Sequence, residues 1–190
     1  MGNPLRDRRT VAEWASAGQA IEITEKIGAF DGLAAILEAD LAALEPGKIP
    51  ENWRESRVTG ALLFGYLDTD NRVPAVTGQV EAEVDAVCQR CLEPFRLRLA
   101  AEPKLLLLGN DESDAGYDEY EVWELDERLL KPQDIVEELL VMALPFSAVH
   151  DNMAECRAFG SDGETTPEKT TRPFAALRQQ MAKDTDGPDN

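Results

Sequence analysis

The clearest pattern in the chain runs from Val76 through Gly78, Val80, Ala82, Val84 and Ala86 to Cys88, with Thr77, Gln79, Glu81, Glu83 and Asp85 between them. Strict alternation of this kind is a strand with one buried face. After the connection Cys88–Pro94, alternation resumes with Phe95, Leu97 and Leu99 on one face and Arg96 and Arg98 on the other. The two segments read as a hairpin. Matching their apolar faces pairs Val84 with Leu97 and sets Glu83 and Asp85 beside Arg96 and Arg98 as opposite-charge cross-strand pairs on the solvent face. Residues 105–108 (LLLL) would finish the second strand, and 58–67, 120–125 and the partial alternation of Ile21, Ile23 and Ile27 read as further strands.

Two segments carry the helical period instead. Leu33, Ile36, Leu37, Leu41 and Leu44 recur at helix spacing, with Asp31 placed to cap the start and Pro46-Gly47 to end it. Ile135, Val136, Leu139, Leu140 and Ala143 form a second apolar face, opened by Pro132 and Asp134 and stopped by Pro145. A third, short amphipathic helix is expected at 173–183, with Phe174, Leu177 and Met181 on one side. The pattern predicts an α+β fold: a mostly antiparallel sheet or partly open barrel with two to four helices. The expected organisation is a flexible leader at 1–18, a single domain at 19–159, a polar linker at 160–172, the 173–183 helix and a disordered tail at 184–190.

The chain's 190 residues, 43% hydrophobic and 29% charged, are enough to bury a core, which excludes wholesale disorder. No apolar run approaches the roughly 20 residues a membrane span requires, and residues 1–18 are mixed in charge, unlike a secretory signal. A cytoplasmic protein with no membrane contact is the expectation. The net charge is −18, and −10 of it falls within residues 109–145. A chain so acidic gains little from phosphate neutralisation, the term that dominates non-specific nucleic-acid affinity, so RNA contact has to be local or carried by a basic partner.

Three Cys and one His make two clusters, Cys88-x-x-Cys91 and His150 with Cys156. Both spacings are those of tetrahedral zinc half-sites, and a metal shared by them would clip the C-terminal segment onto the sheet. A redox Cys-x-x-Cys is a second reading, although it favours a parallel βαβ setting with the first Cys at a helix N-terminus rather than a hairpin. Buried cysteines beside an ordinary surface histidine are a third. Catalytic zinc fits poorly, because three thiolates and one imidazole leave no position for water. There is no P-loop, dinucleotide fingerprint, nucleophile elbow or second His, so neither an enzyme nor a small-molecule substrate is indicated. Arg90, Arg96 and Arg98 are candidates for RNA contact. Trp14, Trp53 and Trp123 could be stacking platforms, but in a domain this size they read more naturally as core.

The string Cys88-Gln-Arg-Cys-Leu-Glu-Pro-Phe95 after the alternating strand, then Val136-Glu-Glu-Leu-Leu-Val-Met-Ala-Leu-Pro145, His150, Cys156 and Pro173-Phe-Ala-Ala-Leu177, together resemble the YceD family over roughly residues 15–180. That family is named for accumulation of large-subunit ribosomal RNA. The resemblance implies a non-enzymatic role in large-subunit assembly, acting with precursor 23S-type RNA or with a large-subunit ribosomal protein. It implies Cys88 and Cys91 as the signature pair, with His150 and Cys156 as companions. Acidity adds an expectation that a basic partner is held electrostatically, since ribosomal proteins are strongly basic. Two other classes stay open: an adaptor docking through Phe174 and Leu177, and a zinc or redox enzyme.

Overall fold

The computed structural model describes residues 3–70, 72–109, 116–125, 129–152 and 156, which fall in one compact unit. The expected linker, the 173–183 helix with Phe174 and Leu177, and the tail lie outside the described residues. In chain order the elements are β1 (Arg9–Thr10), α1 (Val11–Ala17), β2 (Ala20–Lys26), α2 (Asp31–Leu41), β3 (Arg57–Tyr66), β4 (Pro74–Val87), β5 (Pro94–Ala101), β6 (Lys104–Leu108), β7 (Glu121–Glu124), β8 (Leu129–Leu130) and α3 (Pro132–Met142). No helix among them is long and apolar enough to cross a membrane.

The fold is α+β, and of the two forms expected it takes the open sheet. Six strands run in the order β2-β3-β4-β6-β7, with β5 on β4, and only the β6/β7 pair is parallel. β5 and β6 lie along one edge of the long β4. Val80 faces Ala101 and Thr77 faces Lys104, so the register passes from one to the other without slipping. The ladder breaks only at 102–103, where Pro103 has no N–H to contribute. The leucines of β6 therefore extend the hairpin strand as the pattern predicted.

One face of the sheet carries Ile23, Val58, Leu62, Phe64, Val80 and Val84 into the main core, against Trp14 of α1, Leu33, Leu37 and Leu41 of α2, and Ile135, Val136 and Leu140 of α3. On the other face Ala75, Leu106 and Leu108 form a smaller cluster with Leu67, Val73, Tyr117 and Tyr120. This explains four consecutive leucines: alternate members serve opposite faces, and both are covered. Trp14 and Trp53 are core residues, and Trp123 packs on the core's margin.

Within the expected leader, residues 3–18 carry elements of the domain. Leu5 is fully buried, and α1 opens with a capping box in which Thr10 accepts from the Glu13 N–H while the Glu13 carboxylate accepts from the Thr10 N–H. Trp14 stacks on Phe64 with ring centroids 5.6 Å apart and donates from Nε1 to the Leu130 carbonyl at 3.0 Å. The segment has too few apolar residues to show a period, yet Leu5, Trp14 and Ala15 are buried.

Asp31 does not cap α2; it is the first helical residue, and no side chain of the local sequence caps that end. Instead Glu137 of α3 accepts from the N–H groups of Gly32 and Leu33, the latter at 3.0 Å. Gly32 permits the approach, since a Cβ there would sit 2.9 Å from the carboxylate. A cap from 105 residues away in sequence satisfies the same orphan donors and ties two helices together. Glu137→Ala should therefore cost about 1 kcal/mol, as loss of a cap does, read as a lowered denaturation midpoint with the fold retained. An unchanged midpoint would show that water replaces the carboxylate without loss.

Candidate metal centre

β4 and β5 deliver a six-residue connection, Cys88–Glu93, that closes on itself: the Cys88 N–H donates to the Glu93 carbonyl at 3.0 Å and the Leu92 N–H to the Cys88 carbonyl at 2.8 Å. Leu92 takes a left-handed φ of 57°, which an L-residue with a Cβ adopts only when its surroundings hold it there. The turn is bound to the second half-site through the backbone, where the Gln89 N–H donates to the Ala148 carbonyl at 2.8 Å. Two residues on, the His150 ring lies against Phe95 with centroids 4.7 Å apart. On the helical side Asp40 of α2 accepts from the Val87 N–H at 3.0 Å, anchoring the end of β4 just before Cys88.

These contacts bring the ligand atoms of Cys88, Cys91, His150 and Cys156 within 4.8 Å of one another. Cys88 Sγ is 3.8 Å from Cys156 Sγ, and Cys91 Sγ is 3.7 Å from His150 Nδ1. A disulfide would need sulfurs about 2.05 Å apart. A tetrahedron with metal–sulfur arms of about 2.3 Å has corners about 3.8 Å apart. The donor set therefore fits a tetrahedral metal, and the cluster could hold one. Cys88 and Cys91 are buried, while His150 and Cys156 are half-buried.

The thiols of the cluster are unequal. Burial pushes Cys88 up, but the N–H groups of Cys91, Arg90 and His150, with the Cys91 thiol, outweigh it and draw Cys88 down to about 5. Burial pushes Cys156 up to about 11, reinforced by its hydrogen bonds to Cys91 and Cys88 and by their negative charge. In metal-free protein the two act on stability with opposite sign. Cys88, lowered by folding, contributes stability that is full above the ordinary value of 9.0 and fades as pH falls through about 5. Cys156, raised by folding, contributes stability that is full below 9.0 and is lost as pH rises through about 11. Thiolate absorbance of the metal-free protein should accordingly show one ionisation well below neutrality and another beyond pH 9.0. Cys88 and Cys156 titrating together would contradict this.

The hairpin register is as predicted, with Val84 opposite Leu97, Asp85 opposite Arg96 and Glu83 opposite Arg98. Its ion pairs differ in detail. Arg96 reaches Asp85 at 3.4 Å and also donates to Ser56 Oγ at 2.8 Å, but Arg98 takes the diagonal neighbour Glu81 at 2.8 Å rather than Glu83. Asp85 is only 8% exposed, so the expected solvent face closes over it. No ion pair is found for Arg90 among the described residues. The Asp40 anchor, the Phe95–His150 contact and the Gln89–Ala148 link had no signal in the sequence because they are contacts across the fold. The left-handed turn at Leu92 had no glycine to announce it.

Fold and donor set together define an α+β domain whose hairpin turn and post-helix segment form a candidate metal clip. A family model described as large ribosomal RNA subunit accumulation protein YceD matches residues 76–179, more than half of the chain, and the chain belongs to that family. The match begins within β4 and spans all four donors. No curated protein and no solved structure matches the chain significantly.

Proposed function

We propose that this chain is a non-enzymatic cytoplasmic factor in large ribosomal subunit biogenesis, supporting accumulation and processing of 23S-type RNA by binding a basic large-subunit protein or precursor RNA. The observation that carries the reading is the family match over residues 76–179. Structural zinc is the metal that suits three thiolates and one imidazole at tetrahedral spacing, a closed set with no place for a reacting water. Its part is to clip the segment after α3 to the hairpin, not to take part in a reaction.

Charge favours a basic protein as the principal partner. Arg96 and Arg98, two of the three arginines considered for RNA contact, already face carboxylates, leaving Arg90 to make any phosphate contact at the hairpin turn. A single such contact gives little affinity at physiological salt.

Loss of the protein should lower mature 23S-type RNA and free large subunits while leaving small subunits largely intact, measured on gradient profiles of a deletion strain. Normal profiles under both cold and warm growth would overturn the assignment. Purified protein should bind naked RNA weakly and lose it steeply as salt rises; tight, salt-resistant binding to protein-free RNA would overturn the choice of a protein partner.

A further inference from the structure

We infer that the open edge of β7 is a strand-addition site for an extended basic segment of a partner protein, an inference that rests on the reading of that partner as basic. β7 pairs with β6 along one side and ends the strand order; among the described residues no strand pairs with its other side. An unpaired edge offers backbone N–H and C=O groups to any extended chain, and proteins commonly protect such edges with lysine or proline. β7 reads Glu-Val-Trp-Glu: it is short and carries two acids, but it has neither lysine nor proline.

Along that edge lies a groove of about 510 Å³ lined by Val122 and Leu129, by the acids Glu124, Asp134 and Glu138, and by the cations Arg8 and Lys131. Val122 is 43% exposed and Leu129 46%, two apolar side chains that meet water at one groove. At the opposite end of the sheet the outer strand is treated differently: the Pro4–Arg6 turn packs against β2, with Asn3 and Arg6 both bonded to Glu25.

Charge selects the occupant. Glu124 and Glu138 line the groove and Glu121 begins the strand, and none of the three is in an ion pair among the described residues; of the lining acids, Asp134 is held by Lys131 at 3.3 Å. They lie in the 109–145 stretch that carries −10 of the net charge. Three acids face two cations in the lining, and Glu121 adds a fourth acid, so the local balance favours a cationic occupant over a phosphate. An extended chain alternating basic and apolar residues would pair its backbone with β7, turn its apolar side chains to the face of Val122, and set its cations on the face of Glu121. In strand addition the main chain supplies affinity and the side chains supply selectivity, so recognition would tolerate many basic sequences.

The test uses the full chain and a short synthetic peptide in which lysine and valine alternate, beside the same peptide N-methylated at alternate amides. Methylation leaves charge and side chains intact and blocks the ladder. The unmodified peptide should bind and slow amide hydrogen exchange at residues 121–125, and the methylated one should bind roughly tenfold more weakly or worse, about 1.4 kcal/mol. Val122→Lys should weaken the unmodified peptide comparably, whereas Glu138→Lys should slow association while leaving the exchange pattern in place. Equal binding of the two peptides, or unchanged exchange at 121–125, would overturn the inference, as would an RNA oligomer protecting the same amides. The peptide comparison needs no variant, so a misfolded Val122→Lys does not weaken it. A negative result with normal dependence of 23S-type RNA on the protein would remove this site and leave the ribosomal role standing.

Discussion

Cys88→Ser should lower the stability of the metal-loaded protein by roughly 3–5 kcal/mol, a fraction of the ~10–16 kcal/mol that zinc supplies to peptides with no other fold organiser. The fraction follows from the division of labour in this domain. The sheet, α2 and α3 enclose a core that owes nothing to the cluster, with Val58, Leu62, Val80, Val84, Ile135 and Val136 all fully buried. Residues 148–152 and 156 have a weaker hold: the Gln89–Ala148 hydrogen bond, the Phe95–His150 contact and the donor cluster itself. Losing Cys88, buried and closest in sequence to the end of β4, should release that segment and the hairpin turn first. Helix and sheet content should persist below the new, lower midpoint, while chelator should lower the wild-type midpoint and leave that of the variant unmoved. Equal midpoints for both proteins, with and without chelator, would show that the cysteines are packing residues only.

Trp14→Ala should cost about 3–5 kcal/mol, the range for removing a large aromatic side chain from a core that cannot collapse around the gap. Three separate contacts are lost: the stack on Phe64, the hydrogen bond to the Leu130 carbonyl, and contact with the main core. The second reaches β8, which pairs with β1, so this one indole holds the N-terminal segment on the strand that precedes α3. Thermal unfolding of the full chain measures the cost. A loss under about 1 kcal/mol, typical of a surface substitution, would return residues 4–17 to the status of a dispensable leader.

That leader shows where sequence reasoning stops. The β4/β5 hairpin was legible to the residue because a period of two leaves no freedom: a slip of one position would turn Val76, Val80 and Val84 away from the core. Leu5, Val11 and Trp14 carry no period and reveal their burial only once Phe64 and Leu130 are in place. The Thr10-x-x-Glu13 box was nevertheless written in the sequence and could have marked α1. The cap on α2 by Glu137 could not have been found that way, since local candidates such as Asp31 look equally suitable until the fold brings α3 alongside. Cys88, Cys91, His150 and Cys156 were legible as two half-sites by spacing, and their convergence depends on a distant backbone link, Gln89 to Ala148. The parallel pairing of β7 with β6 likewise had no local signal; Tyr117 and Tyr120, just before β7, pack on the smaller core.

The central claim is that Cys88, Cys91, His150 and Cys156 close around one zinc ion and thereby hold the end of the domain to its hairpin. Elemental analysis of chelator-washed, natively purified protein, joined to thiol counting on the same sample, tests it most directly. The account predicts about one zinc per chain, with the three thiols protected until the metal is stripped or the protein unfolds. Zinc well below stoichiometric with all three thiols freely reactive in the native state would contradict it.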